Sequence, residues 1–374
     1  MSRYFLTSES VTIGHPDKMC DYIADCILDE YLKQDSESRV ACEVVAYKNN
    51  ILVTGEITSN AKIDIETIVR NCIKEIGYDD ETIAIDYRTC QVNIKIAEQS
   101  RDIANGVDYG GAGDQGIMYG FATDETPSYM PISIVYAHKL AKKLEQVRKE
   151  NIIQGLKPDG KTQVTMEFDG DIPKRVECIV ISAQHSKDVQ MDKLRADIRQ
   201  KVIYEVIDDK YIDSNTKIYI NGAGRFEIGG PLADTGLTGR KIMVDTYGSI
   251  AKHGGGAFSG KDATKVDRSG AYMARYIAKN IVANKLAKKC EVQLSYVIGL
   301  KDAVAINIEC FGTETIPLDK LIQIATNKFK ISPKDIINNL KLKQPIYSRL
   351  SAYGHVGRDD IELEWEKVIS IYDI

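Results

Sequence analysis

The segment Ala41-Cys-Glu-Val-Val-Ala-Tyr-Lys-Asn-Asn-Ile-Leu-Val-Thr-Gly-Glu-Ile57 contains the pattern from which the architecture can be predicted. Two runs rich in apolar and β-branched residues, 41–47 and 51–57, flank Lys48-Asn-Asn50, whose asparagines supply turn chemistry. We therefore expect a β-hairpin here. Downstream, apolar residues recur at spacings of three and four from Ile65 to Ile76, which indicates one buried face of a helix. The segment thus predicts a strand–turn–strand–helix arrangement, named here the ββα unit.

The ββα unit recurs twice in pattern, although not in sequence. The expected strands are 163–168 and 176–183 in the second copy, and 291–297 and 303–310 in the third. The apolar faces of the three following helices are Ile65, Ile68, Val69, Cys72 and Ile76; Met191, Leu194, Ile198, Val202 and Val206; and Leu318, Leu321, Ile322, Ala325 and Phe329. The recurrence predicts an α+β protein of three similar ββα-type domains, each a small sheet backed by helices, with Gly-rich linkers near 100–116 and 221–240. Because ββα is a common arrangement, chance recurrence is the alternative.

Composition excludes several classes of protein. The 374 residues suffice for two or three domains, and 49 basic against 54 acidic residues give a net charge of −5. That balance argues against a nucleic-acid partner held by bulk charge. No apolar run approaches the ~18 residues of a membrane helix, and the first residues lack the apolar core of a signal peptide. The eight cysteines form no C-x-x-C pair, so we expect reduced core residues in a cytoplasmic protein without a membrane partner.

The Gly-rich stretch His253-Gly-Gly-Gly-Ala-Phe-Ser-Gly-Lys-Asp-Ala-Thr-Lys-Val-Asp267 indicates a polyphosphate site. Backbone N–H groups in Gly-rich turns, together with lysines, can hold phosphate oxygens, and a carboxylate beyond them can hold a metal ion. Gly255 to Lys261 also fits G-x-x-x-x-G-K, but Asp262 stands where a P-loop needs Ser or Thr. In addition, the strand-like run Lys241–Tyr247 ends well before the glycines. A P-loop-like kinase or ATPase is therefore the alternative function, and a nucleotide-binding module without chemistry is a third.

Gly111-Ala-Gly-Asp-Gln-Gly116 is a literal G-x-G-x-x-G, the spacing of a dinucleotide fingerprint. That fingerprint must follow a strand and open a helix. Here the residues before it are polar and Gly-rich, and those after it lack a helix pattern. We therefore reject a Rossmann interpretation.

Further charged clusters complete a set of phosphate-binding candidates. In Gly14-His-Pro-Asp-Lys18, proline suits the first turn of a helix, so His15 and Asp17 should lie at a helix N-terminus, where phosphate binds readily. The candidate phosphate cations are His15, Lys161, Arg240, Lys241, Lys261 and Lys265, with Asp17 and Asp267 as metal ligands. No Ser-His-Asp or Cys-His pattern stands out. The set favours electrostatic stabilisation of a leaving polyphosphate over covalent catalysis.

Gly14-His-Pro-Asp-Lys18, Gly111–Gly116 and Gly254-Gly-Gly-Ala-Phe-Ser-Gly-Lys-Asp262 together resemble the S-adenosylmethionine synthetase (methionine adenosyltransferase) family. The resemblance extends from Phe5-Leu-Thr-Ser-Glu-Ser10 to Ala352-Tyr-Gly-His-Val-Gly-Arg358. It implies synthesis of S-adenosylmethionine from ATP and L-methionine. The sulfur attacks ribose C5′ and displaces triphosphate, which is then hydrolysed to phosphate and diphosphate. It also implies approximate threefold symmetry among the domains 1–100, 112–227 and 228–374.

The resemblance also assigns site residues. It implies catalytic roles for His15, Lys161, Arg240 and Lys261. Residues implied to bind ATP are His15, Asp159, Lys161, Arg225, Phe226, Asp234, Arg240, Lys241, Ala257 and Lys261. Residues implied to bind methionine are Glu56, Gln99, Asp114, Asp234 and Lys265. Asp17 and Asp267 are implied magnesium ligands (two Mg²⁺ per site), and Glu43 is an implied potassium ligand (one K⁺ per site).

The resemblance implies a homodimer, or a homotetramer built as a dimer of dimers, with active sites at the subunit interface. One segment departs from the family pattern. Where the family has a longer mobile loop that gates the site, this chain has the short stretch 100–111. We expect a shortened gate loop that covers the site less completely.

Overall fold

The computed structural model of the protein describes residues 3–98 and 111–371. Its strands are β1 Arg3–Val11, β2 Arg39–Tyr47, β3 Asn50–Thr58, β4 Gln91–Ala97, β5 Gly116–Thr123, β6 Leu156–Asp169, β7 Ile172–His185, β8 Lys217–Ile220, β9 Gly236–Leu237, β10 Lys289–Tyr296 and β11 Ala305–Glu309. Its α-helices of four or more residues are α1 Pro16–Gln34, α2 Ile65–Ile76, α3 Ile132–Lys149, α4 Met191–Ile198, α5 Gly230–Ala233, α6 Ile242–Asp245, α7 Val266–Ala283, α8 Leu318–Lys328 and α9 Pro333–Asn339. The α+β class and the three expected ββα units are confirmed.

The three predicted hairpins are the centres of three sheets. β2 and β3 pair antiparallel with Tyr47 opposite Asn50, and β6–β7 and β10–β11 pair in the same sense. The sheet orders are β4-β3-β2-β9, β1-β6-β7-β8 and β11-β10-β5. In each sheet an extra strand lies antiparallel to the first hairpin strand: β9 on β2, β1 on β6 and β5 on β10. The equivalent positions confirm the threefold arrangement.

Each extra strand comes from a distant part of the chain. The N-terminal β1 joins the sheet of the central hairpin, β5 joins the C-terminal sheet, and β9 joins the N-terminal sheet. Each long helix packs on strands other than the one immediately before it in the chain: α1 packs on β2 and β9, α3 on β1 and β6, and α7 on β5 and β10. The three sequence segments are therefore interlocked in a cycle, with these helices against the inner faces of the sheets.

Helix α1 matters most for the site, and its start has local causes. Pro16 occupies the first helical turn, where its missing N–H costs no hydrogen bond. The His15 side chain caps the helix by accepting from the Asp17 N–H. Met19, Ile23 and Ile27 are fully buried. Burial of this face fixes α1 in the core, and its N-terminus carries Gly14–Lys18.

One local expectation was wrong. The strand-like run Lys241–Tyr247 contains the helical turn α6, Ile242–Asp245. The Asp245 N–H donates to the Lys241 carbonyl at 2.9 Å, and Val244 and Asp245, the last two residues of the turn, are buried. Packing has therefore overridden the strand preference of the run. The strand that a P-loop requires before its glycines is absent from this stretch.

Two further expectations bear on the environment of the chain. All eight cysteines are free thiols, although Cys26 and Cys178 are only partly buried. Within residues 3–98 and 111–371, every helix is too short or too polar to span a bilayer. The expected gate segment 100–110 and the predicted methionine contact Gln99 lie outside the described residues.

Candidate active site

The first cluster of candidate residues surrounds the N-terminus of α1. Asp17 is 1% exposed, and its carboxylate accepts the Leu237 N–H at 3.0 Å and an ammonium hydrogen of Lys241. The Arg240 Nε lies 3.9 Å from the same carboxylate. The strand β9 and the loop after it therefore bring two candidate phosphate cations against the first turn of α1.

His15 lies in this cluster as a neutral imidazole. Burial lowers the pKa of His15 to about 3, and the charge of Lys241 acts in the same direction while Asp17 opposes both. The His15 Nδ1 accepts the Asp17 N–H at 3.2 Å, so the ring hydrogen belongs on Nε2. His15 thus offers an anion a neutral N–H donor beside the helix N-terminus.

A cavity of ≈ 400 Å³ opens next to His15. It is lined by His15, Pro16, Asp159, Lys161, Ser182, Asn221, Gly222, Ala223, Gly224, Arg225, Phe226, Ala233 and Asp234. Its volume falls within the range of about 300–1,000 Å³ typical of small-molecule sites. The cavity therefore gathers the predicted nucleotide contacts from four separate segments of the chain.

The polar groups of the cavity differ in how they are held. Burial raises the pKa of Asp159 to about 7. The hydrogen bond that Asp159 accepts from the Gly230 N–H at 2.8 Å acts in the opposite direction. Lys161 forms an ion pair with Glu9 and is nearly half exposed. The Arg225 guanidinium turns toward backbone carbonyls, including Val189 O at 3.1 Å. Lys161 is consequently the more accessible cation for a ligand.

The second cluster lies around the Gly-rich loop and the outer face of the β2–β3 hairpin. The Lys261 ammonium donates to Asp267 at 2.6 Å, and Lys265 pairs with Asp262. The backbone of Lys261 also forms an isolated antiparallel β-bridge with Ala41 of β2. Partial burial raises the pKa of the Glu43 carboxyl, and the nearby charge of Lys261 opposes this effect. The exposed Glu56 lies on the neighbouring strand β3.

The three consecutive glycines, Gly254 to Gly256, differ in the space around them. A Cβ on Gly254 would lie 1.6 Å from Ile117 O, and one on Gly256 would lie 2.3 Å from Asp267 Oδ1. These two positions admit no side chain because the loop packs on β5 and α7. At Gly255 φ is +92° and a Cβ would meet nothing within 4 Å. Of the three, Gly255 is the one with open space around its α-carbon, and its N–H donates to His253 Nδ1 at 2.8 Å.

The two clusters are separate within one chain. In the described ranges, no ion pair or hydrogen bond joins the His15–Lys241 group to the Lys261–Asp267 group. They approach where a Cβ on Gly239 would lie 2.6 Å from Ala257 Cβ. Asp114 is exposed before β5, and its carboxylate accepts the Gln115 N–H at 2.7 Å. The predicted set is thus gathered into two groups rather than one.

The same division separates the expected magnesium ligands. In the described part of the chain, no three His, Cys, Asp or Glu side chains come together as a metal-binding group. Asp17 and Asp267 each offer a carboxylate already paired with a lysine. One carboxylate per ion fits Mg²⁺, which commonly takes its remaining ligands from water and substrate phosphates. The donor chemistry therefore fits a metal shared with a polyphosphate.

A buried set of charged residues, which the motifs did not predict, lies beneath both clusters. Lys18 pairs with Asp21 and Asp245, and Arg268 pairs with Asp25; all five side chains are buried. The available signal was the spacing, because an aspartate recurs at every fourth position of α1 from Asp17 to Asp29. Equal spacing by about one helical turn indicates a shared function along one side of the helix.

Comparisons with known proteins cover almost the whole chain. Three family models match in order: the N-terminal domain of S-adenosylmethionine synthetase at residues 3–101, its central domain at 109–226 and its C-terminal domain at 228–367. The S-adenosylmethionine synthase of Finegoldia magna is 52% identical over 98% of this chain and 97% of its own length. That of Clostridium botulinum is 50% identical over 100% of this chain and 99% of its own length.

Proposed function

This chain belongs to the S-adenosylmethionine synthetase family, and we propose that its two side-chain clusters are complementary halves of the active site. The protein is a methionine adenosyltransferase that makes S-adenosylmethionine from ATP and methionine. The alternative of a P-loop-like kinase or ATPase has no support, since the three family models that match are the three domains of the synthetase. The ≈ 400 Å³ cavity lined by His15, Lys161 and Phe226 is the observation that carries the proposal of a nucleotide site in the first half.

The reaction forms a bond between the methionine sulfur and ribose C5′ and breaks the bond from C5′ to the triphosphate oxygen. The triphosphate leaves with the electron pair, and water then cleaves it to phosphate and diphosphate. A thioether sulfur has no proton to lose, so its attack needs no general base. The protein must instead stabilise the charge that develops on the leaving oxygen. This requirement matches a site with many cations and no paired nucleophile and base.

We assign the catalytic work to His15, Lys161, Arg240 and Lys261. His15 presents its Nε2 hydrogen to the leaving triphosphate, and the three cations compensate the phosphate charge. The further ATP contacts in the proposal are Asp159, Arg225, Phe226, Asp234, Lys241 and Ala257. The methionine contacts are Glu56, Asp114, Asp234 and Lys265, together with Gln99, which lies outside the described residues.

The family requires a divalent and a monovalent cation. We propose two Mg²⁺ ions held by Asp17, Asp267 and phosphate oxygens, and one K⁺ ion near Glu43. When bound, these ions neutralise phosphate charge and polarise the bond to the leaving group. Asp17 and Asp267 would be released from Lys241 and Lys261 as the metal enters. The freed ammonium groups would then face the phosphates.

We further propose that the site is completed by a second subunit in a homodimer, which can pair into a tetramer. Glu43 and Glu56 lie on an outward sheet face that also carries Tyr47, with 51% of its surface accessible, and the partly buried Val45 and Leu52. A partner seated there would cover apolar surface and bring its His15 cluster toward Lys261. We divide the chain into the segments 1–100, 112–227 and 228–374, with a short gate loop at 100–111 between the first two. Free thiols at all eight cysteines support a cytoplasmic location.

The products from ATP and methionine test the proposed function. The purified protein with Mg²⁺ and K⁺ should yield S-adenosylmethionine, phosphate and diphosphate in equal amounts. Omitting methionine should abolish formation of the sulfonium product. Formation of ADP would instead indicate attack at the γ-phosphate and would overturn the assignment.

A further inference from the structure

Four buried aspartates form a ladder on α1. Asp17, Asp21, Asp25 and Asp29 are 1%, 0%, 0% and 4% exposed. Successive members are about 6 Å apart along the helix and rotated by about 40°, because an α-helix has 3.6 residues per turn and rises 1.5 Å per residue. The ladder therefore winds slowly around α1: Asp17 and Asp21 meet the segment 237–239, Asp25 meets the Gly-rich loop, and Asp29 meets residues 347–348.

Each of the four carboxylates accepts hydrogen bonds from backbone N–H groups outside α1. Asp17 accepts from Leu237 at 3.0 Å. Asp29 accepts from Tyr347 at 2.9 Å and Ser348 at 2.8 Å. The two middle rungs accept from glycines at 2.8 Å, Asp21 from Gly239 and Asp25 from Gly260. These two glycines directly precede Arg240 and Lys261.

The loop after Gly239 is held at both ends. Asp21 fixes the Gly239 N–H and also accepts from Lys18 at 2.9 Å. The Lys18 ammonium pairs in turn with Asp245, the last residue of α6. Gly239 has φ of +80°, and a Cβ there would lie 2.6 Å from Ala257 Cβ. The segment that carries Arg240 and Lys241 is thus tied to α1 before and after the two cations.

The peptide before Lys261 is held in a parallel way. Asp25 accepts the Gly260 N–H, and Arg268 places one nitrogen 2.8 Å from both Asp25 oxygens. Another Arg268 nitrogen donates to the Lys261 carbonyl at 2.8 Å. Gly260 has φ of +81°, and a Cβ there would lie 2.0 Å from Cys42 O. The buried Asp25–Arg268 ion pair therefore binds both the N–H of Gly260 and the carbonyl of Lys261.

We propose that Asp21 and Asp25 are positioning residues: Asp21 holds Arg240 and Lys241, and Asp25 holds Lys261, each in register with the triphosphate of the site that it serves. The inference rests on the phosphate role of these cations in the proposed function. Buried ion pairs are costly to desolvate and are weak contributors to stability compared with apolar packing. Their placement here is explained by the loops that they fix. A misplacement of 1 Å at a reacting group can cost about 10²-fold in rate.

Three matched substitutions test the proposal: Asp21→Asn, Asp25→Asn and the control Asp29→Asn. Each removes one buried carboxylate charge from the same helix, but Asp29 holds the 347–348 loop. We expect kcat to fall about 10- to 100-fold in the first two variants, with the KM for methionine changed less than about threefold. Asp29→Asn should keep kcat within about twofold of the parent. Equal losses of kcat in all three variants would overturn the positioning role.

Hydrogen exchange supplies a readout independent of activity. Asp21→Asn should speed amide exchange at 237–241 and Asp25→Asn at 258–262, while Asp29→Asn should affect only 346–349. Unchanged exchange at both cation-bearing segments would contradict the proposal. Asp21→Asn leaves Lys18 paired with Asp245, so it can decide the question even if Asp25→Asn unfolds.

The failure of this inference can be distinguished from failure of the proposed function. Lys241→Met and Lys261→Met should lower activity without changing exchange at 237–241 or 258–262. If the lysine variants stay active, the phosphate role is wrong. If they lose activity while Asp21→Asn and Asp25→Asn remain fully active, the phosphate role stands and the positioning role fails.

Discussion

Lys261→Met is expected to lower kcat by about 10²- to 10³-fold while leaving the KM for methionine almost unchanged. Lys261 follows the fixed Gly260, is 21% exposed in its side chain, and pairs with Asp267 at 2.6 Å. Its ammonium should act on phosphate charge that grows as the C5′–O bond breaks. Removal of one such contact typically costs about 2.7–4 kcal/mol of activation free energy.

Initial rates over a range of methionine and ATP concentrations measure this effect. Lys320→Met, an exposed lysine on α8 far along the chain, serves as the control and should retain full activity. A defect of Lys261→Met confined to the KM for methionine would mean that Lys261 binds substrate equally in ground state and transition state. That outcome would remove it from the catalytic group.

Asp17→Asn and Asp267→Asn are expected to raise the Mg²⁺ concentration for half-maximal activity by more than about tenfold, and to depress the maximal rate. A neutral amide is a poorer ligand for a hard cation than a carboxylate. Even outer-shell changes at metal sites cost about 10- to 100-fold in affinity or activity. Each substitution also removes the ionic partner of a lysine, so loss of rate alone would be ambiguous.

The magnesium titration resolves that ambiguity. Glu43→Gln is the matched carboxylate control, since it should change the response to K⁺ but leave the Mg²⁺ midpoint unaltered. Unaltered magnesium midpoints in both aspartate variants would remove Asp17 and Asp267 from the metal site. A K⁺ response of Glu43→Gln identical to that of the parent would remove Glu43 from the potassium site.

The sequence predicted the local units of the fold better than their assembly. The β2–β3 hairpin and the helices after each hairpin follow from turn residues and apolar spacing, which are local properties. The joining of β1 to β6, or of β9 to β2, links strands far apart in the chain and leaves no periodic signal. Lys241–Tyr247 was misread because its buried contacts, not its residue preferences, make it helical.

The motifs predicted which residues form the candidate site, but not that these residues lie in two separate clusters. Charged residues in Gly-rich segments indicated phosphate chemistry, and the structure gathers them around α1 and the 253–267 loop. Spacing could not show that Asp17 and Asp267 pair with different lysines in separate clusters. The roles of Asp21 and Asp25 were hidden for a similar reason, since their partners are backbone N–H groups of distant loops.

We expect each active site to take the His15 cluster from one subunit and the Lys261 cluster from the other. A mixing experiment tests it: Asp17→Asn and Lys261→Met proteins, each nearly inactive, are dissociated together and reassociated. In a random mixture about half of the dimers are mixed, and each C2 dimer has two equivalent sites. Every mixed dimer should hold one intact and one doubly damaged site, so about a quarter of the sites should recover. No recovery, with mixed dimers confirmed by mass, would show that one chain supplies both clusters of a site.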